Sequence, residues 1–487
     1  MDFKNNYDNL YSKNFTSTGK LRYLRDFRPV NPFISNKVTK FPIGFKGILG
    51  YLIRLILNEK NENIEDYTEF SETIISQILE NGELSDENEK YFKELLYEYL
   101  LADKDEINIL TPKFYSFIYP KKNTSNEEGI ALFIRDIFLD NNGNIEKFKN
   151  FVNNSKSNNI LIDLILNNIN NHSGNITEKK YCCVDNEVIN LFNEDFDFAL
   201  KHEEWFMDNI ELFFAYYYFY YNAKVIFKVN KEFSLLEDDI NFVDYDEHLY
   251  YLLDWEHASK FNKTITGSGY DFLLDKSKYI YSQFTMIDHL NILIGDFYKE
   301  NDDLINKEVL LLEDVYKFFN GLNEEDKNNF IHYLKKWIER CSEYHNYPLD
   351  EMPNELKELL KLLYKVLNNE KFYSSNGRSF THYIENLENI TTKYFAKSRR
   401  QFGFVLNVNK KFLLMITALS FNDYNNAESE NSTKLKIKMD DLFKEYHKRG
   451  LYFDKNSEET IKELLNKLNL VDKKSDSGSA QYVRTIL

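Results

Sequence analysis

Only seven prolines and 16 glycines punctuate the 487 residues of this chain. That scarcity constrains the fold more than any motif. Proline removes a backbone donor and clashes with the preceding turn, and glycine costs about 1 kcal/mol in a helix interior. Where both are rare, long helices go unopposed, and apolar residues here recur mostly at spacings of three and four. The chain reads as mainly α-helical. No fixed period repeats, which argues against a solenoid. Helices are expected over 66–80, 86–102, 127–139, 144–153 and 160–170, over a longer aromatic helix or helix pair at 195–230, and over 247–260. FNKTITGSGYDFLLDKS, 261–277, carries Gly267 and Gly269 and reads as a loop. Helices resume over 282–298, 310–320, 325–344, 355–367 and 379–395. The first 46 residues hold Pro29, Pro32 and Pro42 and are expected to be extended or irregular.

The class changes at the C-terminus. NKKFLLMITALS is an apolar helix, and FNDYNNAESENSTK a polar loop. MDDLFKEYHKRG reads as a second helix, with Asp440 and Asp441 in its first turn, Lys448 and Arg449 in its last and Gly450 as the cap, an arrangement matched to the helix dipole. Ser457 is the expected N-cap of a third helix, SEETIKELLNKLN, over 457–468. LVDKK, the turn SDSG and SAQYVRTI then form two strand patterns about a glycine-containing loop. Three helices followed by a β-hairpin is the order of a winged helix-turn-helix domain, with residues 472–481 as the wing. Four regions follow: a basic segment at 1–46, an aromatic-rich helical domain at 47–260, a second helical region at 261–396 and the winged-helix unit at 397–487.

The net charge of −17 opposes nonspecific nucleic-acid affinity, but it is unevenly spread. Residues 13–46 carry 8 Lys and Arg against one acid, and 391–487 carry 18 against 12. Two basic ends flank an acidic body, a pattern that hints at a nucleic-acid or acidic partner. Three cysteines without a CxxC pair supply neither a disulfide framework nor a four-thiolate zinc site, which fits a reducing cytosol. No apolar run approaches the ~20 residues of a membrane span, so no membrane partner and a cytoplasmic location are expected.

Chemical motifs are sparse. A phosphate-cradling loop needs GxxxxGK[ST]; TSTGKL has Asn14 where the first glycine belongs and Leu21 where the Ser or Thr belongs. GFKGILG reads as helix packing at Gly44, Gly47 and Gly50. HEEWF at His202 lacks the second histidine of HExxH. Cys341 with His345 offers two metal ligands where zinc needs four, and the acids around DYDEHLYYLLDWEH read as a solvated face. No cofactor, metal or catalytic residue is expected. One arrangement has catalytic shape: RCSEYH sets Arg340 and His345 in R-x4-H spacing, as in HEPN-type ribonucleases, where such a pair activates a 2′-hydroxyl and stabilises phosphate charge. The asparagine that commonly follows the arginine there is missing, and a plain helix end is the simpler reading.

Basic residues interleaved with aromatics carry more. Lys397, Arg399, Arg400, Lys410 and Lys411 cluster in KYFAKSRRQFGFVLNVNKK, and Lys473, Lys474 and Arg484 fall on the expected wing. Such cations can neutralise phosphates and release counterions. Glu458 and Glu459 open the third helix, however, and would repel a backbone in the groove. Wing-and-edge contact with double-stranded DNA and pure protein docking both remain open. LFFAYYYFYYNAKVIF reads as core rather than a base-stacking platform.

LYYLLDWEHASK, FFAYYYFYY, SRRQFGFVLNVNKKFLLMITALS and the segment from FKEYHKRGLYFDKN to the last residue together resemble the DptG family of DNA phosphorothioation-dependent restriction proteins. The similarity covers most of the chain and is strongest after Ser398. It implies a non-catalytic subunit of an anti-phage restriction complex, partnered by DptF-like and DptH-like proteins, that acts on DNA lacking phosphorothioate modification. Nucleotide hydrolysis would belong to those partners, and no catalytic residue is carried across. A HEPN-like ribonuclease and an adaptor without nucleic-acid contact are the alternatives.

Overall fold

A single helix of 32 residues, Glu203–Ser234, organises the body. Its run of Phe and Tyr over 213–221 leaves no polar stripe, which suits a stretch of helix enclosed on all sides, while charged residues such as Glu203, Glu204 and Lys231 are exposed towards its ends. Phe213, Tyr216, Tyr217, Tyr218, Phe219 and Tyr221 are fully buried. Rings from distant segments pack onto it edge-on or tilted, Phe192 against Tyr217 at 5.0 Å, Phe412 against Tyr216 at 5.4 Å and Phe133 against Tyr218 at 5.8 Å. Those arrangements suit the ring quadrupole. The aromatic run is core. One residue, His202, separates this helix from Asn186–Lys201, so the expected helix pair is present.

The structure, a computed structural model, describes residues 1–487 apart from 16, 18–28, 31–40, 42, 60–66, 81–85, 104–105, 119–125, 155–159, 168–177, 237–247, 255–266, 370–382, 400–402, 423–435 and 474–480. It is mainly helical, with three small sheets among the described residues. No helix among them is long and apolar enough to cross a membrane. One buried apolar cluster runs from Phe3 to Val483.

GFKGILG does mark helix packing. It opens the Lys46–Leu57 helix, and a Cβ on Gly50 would lie 2.5 Å from the Ile118 carbonyl oxygen and 2.8 Å from that of Tyr115. One turn on, the buried Arg54 donates to the carbonyls of Ser116 at 2.6 Å and Ile118 at 2.9 Å. A glycine for close approach and an arginine for the orphaned carbonyls thus seat this helix on the 3-10 turn Pro112–Phe117.

Three expectations are corrected. Within 1–46, Phe3–Asn14 is a helix: Asp2 caps it by accepting from the Asn5 amide, and Phe3 packs edge-on against Phe297 and Phe330 at 5.3 and 5.5 Å. Its apolar positions, Phe3, Tyr7, Leu10 and Tyr11, do keep helical spacing, but the asparagines between them mask it. Most of the proline-bearing part lies outside the described residues. The expected 247–260 helix is extended over 248–254, where Leu252–Leu253 pairs in parallel with Phe404–Val408; residues beyond 254 lie outside the described ones. A strand partner about 150 positions away overrides the local helical spacing. The expected 261–277 loop is helical in its described part, a π-turn at Gly267–Asp271 leading into Phe272–Ser277.

The C-terminal unit runs helix Lys410–Leu419, strand Lys436–Lys438, helix Met439–Lys448, helix Lys455–Lys467, then strands Val471–Lys473 and Gln481–Arg484. Gln481–Arg484 is the central strand, antiparallel to Lys436–Lys438 on one side and to Val471–Lys473 on the other. The terminal hairpin is therefore present, with its SDSG tip outside the described residues, and a third strand completes the sheet. The third helix is capped by Asp454, whose Oδ1 accepts from the Ser457 amide at 2.7 Å; Ser457 itself is buried in the first turn.

Gly450 follows the cap of the second helix with φ +72°, and a Cβ there would lie 2.1 Å from the Tyr220 ring. Gly450→Ala is expected to cost more than about 1 kcal/mol, because the left-handed backbone and the ring both exclude it. A denaturant midpoint equal to the wild type's would show that this turn can move away from the central helix.

Candidate functional site

The C-terminal unit is the candidate, and its geometry is set by how it seats on the body. Arg449 ends the Met439–Lys448 helix with 1% of its side chain exposed. Its Nη2 donates to Asp195 Oδ1 at 2.6 Å and its Nε to Asp195 Oδ2 at 2.9 Å, the fork-to-fork pairing that suits guanidinium and carboxylate. Nη1 donates to Glu445 at 2.6 Å and Nη2 to the Leu419 carbonyl at 3.0 Å. Tyr217 completes the set by donating to Asp195 Oδ2 at 2.5 Å, while Tyr216 donates to the Arg449 carbonyl. Burial opposes the Arg449 charge, and the Asp195 carboxylate more than offsets it, so the guanidinium stays ionised. The sequence points to Arg449 as a dipole partner at a helix end; the structure makes it the buried tie between the unit and the body. The available signal was Asp195, an acid on the apolar stripe of Leu191, Phe192, Phe196 and Phe198.

A second contact lies beside it. Tyr251 donates its amide to the Tyr452 carbonyl at 2.9 Å, and Tyr452 donates to the Leu249 carbonyl at 3.2 Å. The Tyr452 ring lies 3.8 Å from that of His248 and is stacked on His447 at 4.6 Å. Burial first, and the neighbouring His248 second, lower the pKa of His447.

The basic residues singled out in the sequence are only partly together. Lys397 sits on the edge strand Ala396–Ser398 and pairs with Asp254. Arg399 donates to the Leu253 carbonyl at 2.7 Å and to Asn407 Oδ1 at 2.9 Å, fastening three strands of one sheet. Lys411 donates to the Asp208 carbonyl at 2.8 Å, and Lys410 beside it is exposed. Arg484 forks onto Asp472, which also takes Lys436 at 2.5 Å. Those two cations hold the Asp472 carboxyl well below the usual range. Lys473 lies opposite Gln481 in the hairpin register, and Arg400 and Lys474 lie outside the described residues. Lys397, Arg399, Lys411 and Arg484 thus all serve intramolecular acceptors.

The outer face of the third helix is different. It exposes Asn456, Glu459, Glu463 and Asn466, with Lys462 on Glu459 at 2.7 Å and Lys467 near Glu463 at 3.9 Å. At its N-terminal end, burial raises the Glu458 pKa, and Glu459, Asp440 and Asp454 add to the rise against Lys462. The same helix also exposes Lys455 and Lys467, so a phosphate backbone laid on it would meet carboxylates as well as ammonium groups, with no net positive charge.

Arg340 and His345 are not presented as a pair. Five residues on a helix turn about 140° around its axis. Arg340 lies over the Phe15 ring and binds Glu343 at 2.9 Å and the Tyr11 hydroxyl at 3.2 Å. His345 is 3% exposed. It faces inward with Cys341, near His289, whose Nδ1 accepts from Trp337 Nε1 at 3.1 Å. Among the described residues, no group of three or more His, Cys, Asp or Glu is placed to hold a metal. Comparison with protein-family models finds no match to the chain, and comparison with curated proteins finds none.

Proposed function

We propose that the chain is a non-catalytic subunit of a DNA-restriction complex of the phosphorothioation-dependent kind. In this reading its C-terminal unit is a winged-helix module that docks on a partner subunit. The sequence resemblance supports the setting. The observation that carries the module is its order of helix, strand, two helices and hairpin, with the last strand central in the sheet, which is the arrangement of winged helix-turn-helix domains. Docking on protein is favoured over groove reading because Lys397, Arg399, Lys411 and Arg484 already serve the fold, and because the helix that would enter a major groove balances Lys455, Lys462 and Lys467 with Glu458, Glu459 and Glu463. Contact with duplex DNA is then left to Lys410 and the wing lysines.

Full-length protein co-expressed with DptF-like and DptH-like subunits tests this. Reversing Glu459 and Glu463 to lysine is expected to reduce partner capture at least tenfold while stability falls by only about 1 kcal/mol, the cost of turning two exposed helix pairs, with Lys462 and Lys467, into repulsive ones. Lys473→Glu with Lys474→Glu is expected to leave capture intact and to flatten the salt dependence of any DNA retention. Capture unaffected by the first pair, with DNA retention abolished by the second, would replace the docking reading with a DNA-binding one.

A further inference from the structure

The chain holds four Asn-Gly pairs, and two of them, Asn142–Gly143 and Asn320–Gly321, fall among the described residues. Both asparagines are exposed, but their backbones differ. Asn320 and Gly321 end the Leu312–Gly321 helix, where amides donate one turn back along the backbone. Asn142 and Gly143 are instead the central residues of a tight turn between the π-turn Arg135–Leu139 and the helix Asn144–Asn154. Their φ angles are +52° and +69°, and the Asn144 amide closes the turn by donating to the Asn141 carbonyl at 2.9 Å. Positive φ at both centres is what calls for asparagine and glycine there.

The same pair carries a latent reaction. An asparagine side-chain carbonyl carbon can be reached by the backbone nitrogen of the next residue, and either a side chain on that residue or a hydrogen bond holding the nitrogen slows their meeting. Gly143 has no side chain, and a Cβ built on it would meet nothing within 4 Å. Among the described residues its amide donates to no acceptor, and the Asn142 side chain makes no hydrogen bond either. The turn rotates into the reacting geometry once the Asn144 amide lets go, a local opening that an exposed loop undergoes readily.

We propose that Asn142 is a site of spontaneous deamidation. The Gly143 nitrogen attacks Asn142 Cγ, a C–N bond forms, and the side-chain nitrogen leaves as ammonia, taking the Gly143 amide proton. Water then opens the cyclic imide. Its attack at Cγ gives aspartate; its attack at the Asn142 backbone carbonyl gives isoaspartate, with the chain running through the side chain. Aspartate suits the turn, since it tolerates positive φ and precedes a helix N-terminus. Isoaspartate adds a methylene to the backbone and does not. It strains the hold on Asn144, which is fully buried and donates to the Phe138 carbonyl at 3.2 Å and to Asn193 Oδ1 at 2.7 Å. The Asn193 contact fastens this turn to the Asn186–Lys201 helix. The inference stands apart from the C-terminal docking reading, because none of its residues belongs to that unit.

Full-length protein kept folded at pH 8, sampled at intervals, digested with trypsin and read by mass spectrometry against a zero-time digest, tests this. Peptides 136–147 and 318–327 carry the two asparagines. The first is expected to gain the mass of an amide-to-acid exchange at Asn142 at least ten times faster than the second gains it at Asn320, with isoaspartate the larger product. Asn142→Gly removes the side-chain amide and should abolish the gain at that position. Its melting temperature should change little, because a Gly-Gly centre also takes positive φ at both positions. The isoaspartyl fraction, separated by chromatography, should melt a few degrees below fresh protein. Equal rates at the two sites, or a gain localised to Asn141 or Asn144, would overturn the assignment. An isoaspartyl fraction that melts as fresh protein does would overturn the link to Asn144.

Discussion

Replacing Arg449 with leucine is expected to destabilise the protein by about 3 to 5 kcal/mol, the cost of leaving one member of a buried ion pair without the other. The site is unforgiving because Asp195 is fully buried and takes two of its hydrogen bonds from this guanidinium. The Tyr217 hydroxyl remains after the substitution, but a neutral donor does not replace a charge. Glu445 and the Leu419 carbonyl lose their partner as well. Removing both charges should hurt less than removing one, so Arg449→Leu with Asp195→Leu is expected to recover much of the loss. Denaturant unfolding of the three variants measures this directly. If the single variant lost less than about 1 kcal/mol, the pair would be behaving as an exposed one, and the seating of the C-terminal unit on the central helix would be wrong.

Acidification is the second large effect. Burial pulls the His289 pKa down to about 3, with His345 contributing, and the ring accepts at Nδ1 from Trp337, which requires the neutral form. In the unfolded chain the same imidazole titrates near 6.5. Below that pH the unfolded state binds a proton that the folded state refuses, so stability falls as pH falls. The contribution is fully present above pH 7, erodes from about 6.5 downward, and reaches about 3 kcal/mol of loss near pH 4. Carboxylates throughout the chain titrate in part of this range, so the difference between the wild type and His289→Gln isolates the histidine. The variant should be less stable at pH 7 and should lose less on acidification. Parallel stability curves for the two proteins would show that His289 takes up its proton as readily in the folded state as in the unfolded one.

Much of the helical body was legible because helical burial is a local pattern. The apolar positions of 127–139, 325–344 and 355–367 recur at spacings that need no knowledge of the partner, and those helices lie where expected. The aromatic run was legible as core for the same reason, since a helix without a polar stripe has no face to give to water. The terminal hairpin was legible from its turn chemistry. The short strands at 252–253, 396–398, 404–408 and 436–438 were not. Each has two to five residues, too few to establish a period of two, and each is a strand only because another segment supplies its ladder.

The candidate site divides along the same line. That Lys397, Arg399, Lys411 and Arg484 are cations near the C-terminus is sequence; that they meet Asp254, the Leu253 carbonyl, the Asp208 carbonyl and Asp472 is tertiary structure. By itself the sequence determined a mainly helical chain, an aromatic centre, a closing hairpin and an uneven distribution of charge, because composition and near-neighbour spacing act within a few residues. Only the tertiary structure decided which charges are spent inside the fold. Arg449 finds its carboxylate 254 positions away, and a separation of that size is closed by packing.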